Sequence, residues 1–217
     1  MQTSNAELMR GARESLKGKW GLAIAVSVVY CVLLSIPQSV KNVGPLAVMI
    51  ISGPLAGGMI MFSLTIARNQ EAKFEQLFDG FKSFSTYFLA YVLMTVFILL
   101  WTLLLIVPGI IAAFSYSMTY FIIADNPSIS ASDALKRSKE LMKGNKGKYF
   151  GLTMRFFGWI LLSILTLGIG LLWIMPYMQI SLAKFYEDIK EGSVASQDTP
   201  VSPTTSTPED ITKEAGE

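Results

Sequence analysis

Arg155 is the one ionisable residue set well inside an uncharged apolar stretch, six residues past Tyr149. At helical rise it lies about 9 Å into a helix. A guanidinium at that depth must find a carboxylate, extend to the interface, or hold an anionic group. Lys184 lies at a matching depth in the last apolar stretch, with Glu187 and Asp188 a turn nearer the surface and Gln179 beside Pro176. The most economical chemistry is an ion pair from Arg155 to Glu187 or Asp188 that fixes two helices; contact with lipid phosphate and a substrate site are the alternatives. A second constellation is basic: Lys136, Arg137, Lys139, Lys143, Lys146 and Lys148 share one connection. Near an anionic leaflet such residues contribute roughly 1 kcal/mol each, so contact with anionic lipid headgroups is one reading. The other is that they only orient the chain.

Residue types exclude much else. The chain has no histidine, which removes His-based acid–base chemistry and His-containing metal sites. Cys31 is the single cysteine, so no internal disulfide forms, and a thiol in an apolar helix reads as inert packing. No nucleophile–base pair lies in the apolar stretches, so no catalytic residue, cofactor or metal is assigned and no nucleic acid is expected as a partner. Asp125-Asn126-Pro127 could meet a cation, but a turn that stops a helix is favoured. Ser181, with Gln179, and Tyr116, Ser117, Thr119 and Tyr120 give mildly polar helix faces. Gly53-Pro54-Leu55-Ala56-Gly57 holds the G-x-x-x-G spacing that lets backbones approach. Contact within the chain is favoured over dimerisation, with a homo-oligomer kept as an alternative. Pro54 predicts a kink.

These residues are positioned by long apolar runs. Residues 20–40, 42–67, 83–124 and 156–183 contain no Asp, Glu, Lys or Arg. With 52% hydrophobic residues, 16% charged residues and a mean hydropathy of +0.46, a water-soluble core cannot hide four such runs. Spans need roughly 20 apolar residues and must satisfy their backbone internally. The expected fold is therefore an all-α integral membrane protein of about six transmembrane helices in three hairpin-like pairs. The spans are read as 20–36, 46–67, 87–107, 109–124, 149–167 and 169–189, within a membrane domain covering 20–191. Pro108-Gly109 and Leu167-Gly168-Ile169-Gly170 divide the later pairs, in turns that sit at or just inside the far interface.

Sixteen of the 18 basic residues fall in alternate gaps on one side. Lys41 lies on the other and Arg155 within a span. The positive-inside rule then puts both termini in the cytoplasm. A reporter at position 41 or 108 should read extracytoplasmic. On the basic side, short amphipathic helices are predicted in residues 1–19, around Phe74, Leu77, Phe78 and Phe81, and over 130–143, apolar face toward the headgroups. The first opens on Ser4-Asn5-Ala6-Glu7, a capping box. The tail over 192–217 reads as disordered, with five acidic residues against Lys213 for a net charge of −4.

A faint parallel repeat is visible. Ala67-Arg68-Asn69, then Leu77, then Tyr87-Phe88 correspond to Ala124-Asp125-Asn126, Leu135 and Tyr149-Phe150. Inverted repeats mark many transporters, so a parallel one argues against that class. Residues 134–146, Ala-Leu-Lys-Arg-Ser-Lys-Glu-Leu-Met-Lys-Gly-Asn-Lys, then Phe157-Gly158-Trp159, Pro176-Tyr177 and Phe185-Tyr186, and the amino-terminal Leu16-Lys17-Gly18-Lys19-Trp20, resemble a bacterial membrane family known as domain of unknown function 975. The resemblance covers about residues 6–190 and implies a multi-span protein of the bacterial cytoplasmic (inner) membrane without an established role. That family is similar, more distantly, to membrane portions fused to glycerophosphodiester phosphodiesterases; without their soluble domain, the activity does not carry over. The expected function is non-enzymatic: organisation of lipid or a partner protein at the cytoplasmic interface. The alternative is a small transporter or channel with a path near Arg155.

Overall fold

The computed structural model describes residues 3–38, 44–165, 168 and 170–197, and among them there is no strand. The chain passes three times through the same order: a short helix, then two longer ones. The first pass is α1 (Asn5–Ser15), α2 (Trp20–Gln38) and α3 (Gly44–Ala67). The second is a 3-10 helix (Phe74–Ser83), α4 (Phe84–Leu104), and a broken pair α5 (Ile106–Tyr116) and α6 (Thr119–Asp125). The third is α7 (Ala131–Leu141), α8 (Lys146–Leu165) and α9 (Leu171–Gln197). The repeat read from the sequence thus gains a copy at the amino terminus.

Local chemistry makes the first and third passes start alike. Ser4 accepts from the Glu7 N–H at 3.3 Å while the Glu7 carboxylate accepts from the Ser4 N–H at 2.9 Å. Ser130 accepts from the Asp133 N–H at 3.1 Å in the same position of α7. Each satisfies amides that a helix start leaves free. Both short helices then turn at a glycine in the left-handed region, Gly18 at φ 76° and Gly144 at φ 85°, which reverses the chain into the next long helix.

The short helices do not lie on a headgroup layer with their apolar faces free. Leu8, Ala12 and Leu16 of the first, and Ala134, Leu135 and Met142 of the third, are buried in one core with α3, α6 and α9. Their apolar faces serve the protein interior, and only their charged faces point out. The aromatic stripe of the second divides instead. A 3-10 helix repeats every three residues, so Leu77 and Gly80 share the face on α3 while Phe78 (44% exposed) and Phe81 (39%) turn outward. An α-helical spacing had grouped Leu77 with Phe78 and Phe81.

Among the described residues, four stretches are long and apolar enough to cross a bilayer: Trp20–Gln38, Leu46–Ala67, Phe74–Leu104 and Ile106–Asp125. The other long helices, α8 and α9, carry Arg155 and Lys184 and fall outside that set. Pro108-Gly109 does not divide α4 from α5. The break is at Leu105, in an extended conformation (φ −160°, ψ 140°), and Pro108 is the third residue of α5, where no helical N–H bond is lost. Around this break Leu103, Leu104, Leu105, Ile106 and Val107 are all exposed, Leu103 at 88%. Five consecutive apolar side chains turned outward match hydrocarbon surroundings, not water. α3 continues through Pro54 as helix. α9 runs on to Gln197, so the first residues of the segment read as a disordered tail are helical. Residues 198–217, Lys41 and most of the 166–169 turn lie outside the described residues.

Candidate functional site

The ends of the three passes meet in a charged cluster. Arg68 follows the last residue of α3, Asp125 closes α6, and Tyr186, Glu187 and Lys190 lie along one face of α9. Asp125 accepts from Arg68 Nη2 and from Lys190 Nζ, and its Oδ2 accepts from the Tyr186 hydroxyl at 2.9 Å. Arg68 also donates to Glu187 Oε1, from Nη2 at 2.7 Å and from Nε at 3.2 Å. Burial opposes the Arg68 charge, but hydrogen bonds to Asp125 and Glu187 outweigh it and hold the guanidinium above its ordinary basicity. The Phe121 and Tyr186 rings stack at 5.3 Å beneath the cluster.

A second pair joins α8 to α9, and the start of the first pass is tied to it. Lys148 donates to Asp188 Oδ2 at 2.5 Å, and the Thr3 N–H donates to Asp188 Oδ1 at 2.9 Å. Asn5 Nδ2 donates to the Lys148 carbonyl at 3.0 Å, and the Tyr177 hydroxyl to the Met9 carbonyl at 3.1 Å. The amino-terminal helix is therefore clamped on α8 and α9 by side chains, not only by apolar packing.

The expected ion pair of Arg155 with Glu187 or Asp188 does not form. Glu187 is taken by Arg68 and Asp188 by Lys148. Arg155 is exposed, and among the described residues no carboxylate lies within ion-pair distance of it. Arg155 lies one turn before Trp159 on α8, with its side chain exposed and both expected carboxylates already taken. Lys184 and Gln179 are half-buried; Lys184 borders a 440 Å³ pocket between α1 and α9, with Arg68, Glu187 and Asp188 on its walls.

The basic connection separates by task. Lys148 is committed to Asp188, and Lys136 pairs with Asp133 on the exposed face of α7 at 3.4 Å. Arg137, Lys139 and Lys143 are exposed, and among the described residues none of them makes an ion pair. Lys139 and Lys146 reach a 190 Å³ recess beside Trp101 and Pro108. The G-x-x-x-G segment contacts its own chain: a Cβ on Gly53 would meet the Tyr87 carbonyl at 2.7 Å, and one on Gly57 the Tyr87 ring at 2.6 Å. Among the described residues no group of His, Cys, Asp and Glu is arranged to hold a metal ion.

Arg68, Lys190 and Tyr186 were not singled out by residue type, because each looks like an ordinary interfacial residue. The repeat was the usable signal. Its matched triplets, Ala67-Arg68-Asn69 and Ala124-Asp125-Asn126, put opposite charges at equivalent positions, and these pair directly. No curated protein and no solved structure matches the chain, and the more distant likeness to glycerophosphodiester phosphodiesterase membrane portions finds no support there. A family model described as protein of unknown function (DUF975) matches residues 1–115 and 102–193 in two overlapping pieces. With that match running through α1 to α9, and so through every residue of the charged cluster, the chain belongs to the DUF975 family.

Proposed function

We propose that this is a bacterial multi-pass protein of the cytoplasmic membrane, without enzymatic activity, that gathers anionic lipid against its cytoplasmic face. The observation that carries the reading is the division of charge around α7 and the cluster. Asp125, Glu187 and Asp188 are used by Arg68, Lys190 and Lys148. Arg137 and Lys139 on α7 and Lys143 just past its end are exposed and, among the described residues, make no ion pair, beside a helix whose apolar side is locked in the core. Such a helix cannot turn over to bury its charges, and it presents them at fixed positions to the headgroup layer. A transport path near Arg155 is not better supported, since Arg155 is exposed and, among the described residues, makes no ion pair.

In this reading α2 and α3 cross the bilayer, and the pairs α4–α6 and α8–α9 enter and return to their own side. Lys139 and Lys146 share a recess with Pro108, which supports a second pair that turns within the bilayer. The termini then share the cytoplasmic side. A reporter at position 41 is expected to read extracytoplasmic, and reporters at either end cytoplasmic; a cytoplasmic signal at 41 would overturn the topology.

Lipid binding is tested on the full chain in nanodiscs of mixed phosphatidylcholine and phosphatidylglycerol. Native mass spectrometry should find phosphatidylglycerol enriched among retained lipids. The triple change Arg137→Ala, Lys139→Ala and Lys143→Ala should cut that enrichment by about half or more, as roughly three interfacial charges are lost. Equal enrichment in parent and variant would reject the proposal.

A further inference from the structure

We infer that the cleft between α8 and α9, closed at one end by α1, is a binding groove for a single anionic glycerophospholipid, an inference that rests on the lipid-gathering function proposed above. The upper part is a 380 Å³ pocket with Arg13, Trp20, Phe156 and Tyr177 on its walls and Trp159 and Trp173 at its base. The lower part, 310 Å³, shares Trp159, Trp173 and Ile174 and runs on to Gly170. The two are one groove, leading from α1 to the turn between α8 and α9. Along α9 and the residue before it, the groove covers the eight residues from Gly170 to Tyr177, about 10 Å at helical rise.

Its lining is graded as an amphiphile requires. Arg13 stands at the α1 end, exposed and, among the described residues, without a carboxylate in ion-pair distance. Arg155 lies four residues before Trp159, hence on the same side of α8 and about 6 Å nearer the α1 end. Two arginines with no acidic partner are placed at one end, and guanidinium groups suit phosphate oxygens. Below them three of the chain's four tryptophans face the cavity. Beyond these the wall is Leu162, Gly170 and Ile174, with Ser163 tied to the Trp159 carbonyl at 2.9 Å and so not offering its proton. The walls are held in place: the Phe156 and Tyr177 rings meet edge to face at 5.2 Å, and the Trp20 and Tyr177 rings lie 6.5 Å apart. Trp159 and Trp173 remain about half exposed, at 53% and 50%, so the packing of this chain leaves their faces uncovered. Phosphate at Arg13 and Arg155, glycerol beside Tyr177 and an acyl chain over Trp159 and Trp173 satisfy each part.

The test uses tryptophan as the reporter. Trp101 is changed to Phe, so every remaining indole lines the groove. The full-length Trp101→Phe protein is reconstituted in phosphatidylcholine with increasing brominated phosphatidylglycerol or brominated phosphatidylcholine, and fluorescence quenching is recorded. Phosphatidylglycerol should reach half-quenching at about fivefold lower mole fraction, as two interfacial cations favour it. The added changes Arg13→Ala and Arg155→Ala, both of exposed residues, should bring the two curves together while the circular dichroism stays that of the parent; Arg13→Lys should keep part of the preference. The Arg137, Lys139 and Lys143 triple change should leave the preference intact. Identical curves for the two lipids would overturn the groove. A preference that survives loss of Arg13 and Arg155 but vanishes with the α7 triple change would also overturn it, and would leave the broader lipid function standing.

Discussion

Asp125→Ala is expected to destabilise the protein by roughly 3 kcal/mol, the lower part of the range for breaking a buried ion pair. The Asp125 side chain is only 13% exposed and receives three donors from two different passes of the chain. Its removal leaves the Tyr186 hydroxyl without an acceptor on a residue that is 3% exposed. Arg68 keeps Glu187, and Lys190, at 39% exposure, can turn to water, so the loss stays below the cost of two stranded cations. Asp125→Asn keeps one oxygen, which can accept from Arg68 or from Tyr186 and Lys190 but not from both sets, and should cost about 1–2 kcal/mol through the lost acceptor and charge assistance. Glu187→Ala should cost less than Asp125→Ala, because Glu187 is 25% exposed and serves one partner. Thermal unfolding of the purified protein in detergent measures the series, and a double-mutant cycle with Arg68→Ala isolates the pair. An Asp125→Ala midpoint equal to that of the parent would show that the three passes are not joined through this carboxylate.

The same cluster marks how far residue types carry. Long uncharged runs announce themselves because no soluble fold tolerates them, so α2, α3 and α4 are found within a few residues of their ends. The short helices are also visible, since Ser4 and Ser130 with an acid three residues on are local signals. What the amphipathic faces touch is not local. Leu8 and Leu135 have the pattern of a surface helix whether the partner is lipid or protein, and here it is protein. Ion pairing follows the same logic. Arg155 stands out by its place in an apolar run, yet pairing depends on which other cations reach the carboxylates, and Arg68 and Lys148 take Glu187 and Asp188. Arg68 and Asp125 are 57 residues apart and individually unremarkable, but the repeat places them at matching ends. The Phe78 and Phe81 faces were missed for a different reason: a ten-residue 3-10 helix is rare, and its threefold period regroups the same residues.

That helix leads to the second large effect. Gly80→Ala should destabilise by about 3 kcal/mol or more, beyond the usual 1–3 kcal/mol of overpacking. A Cβ on Gly80 would stand 1.9 Å from the Pro54 carbonyl oxygen and 2.7 Å from the Gly58 nitrogen. Both are backbone atoms of α3, which no rotamer change can move aside. From the other side, a Cβ on Gly58 would stand 1.8 Å from the Leu77 carbonyl oxygen. The 3-10 helix and α3 thus meet backbone to backbone, and Leu77 is 0% exposed because of that approach. Gly158→Ala is the control: nothing lies within 4 Å of a Cβ there, and alanine inside a helix is favoured over glycine by up to about 1 kcal/mol. Thermal midpoints should therefore fall sharply for Gly80→Ala and hold or rise for Gly158→Ala; equal midpoints would refute the close contact. Gly58→Ala should resemble Gly80→Ala. The two changes force apart the same pair of backbones, so once either methyl has separated them the second meets open space. The double variant should then lose clearly less than the sum of the single losses, whereas full additivity would mean two separate contacts.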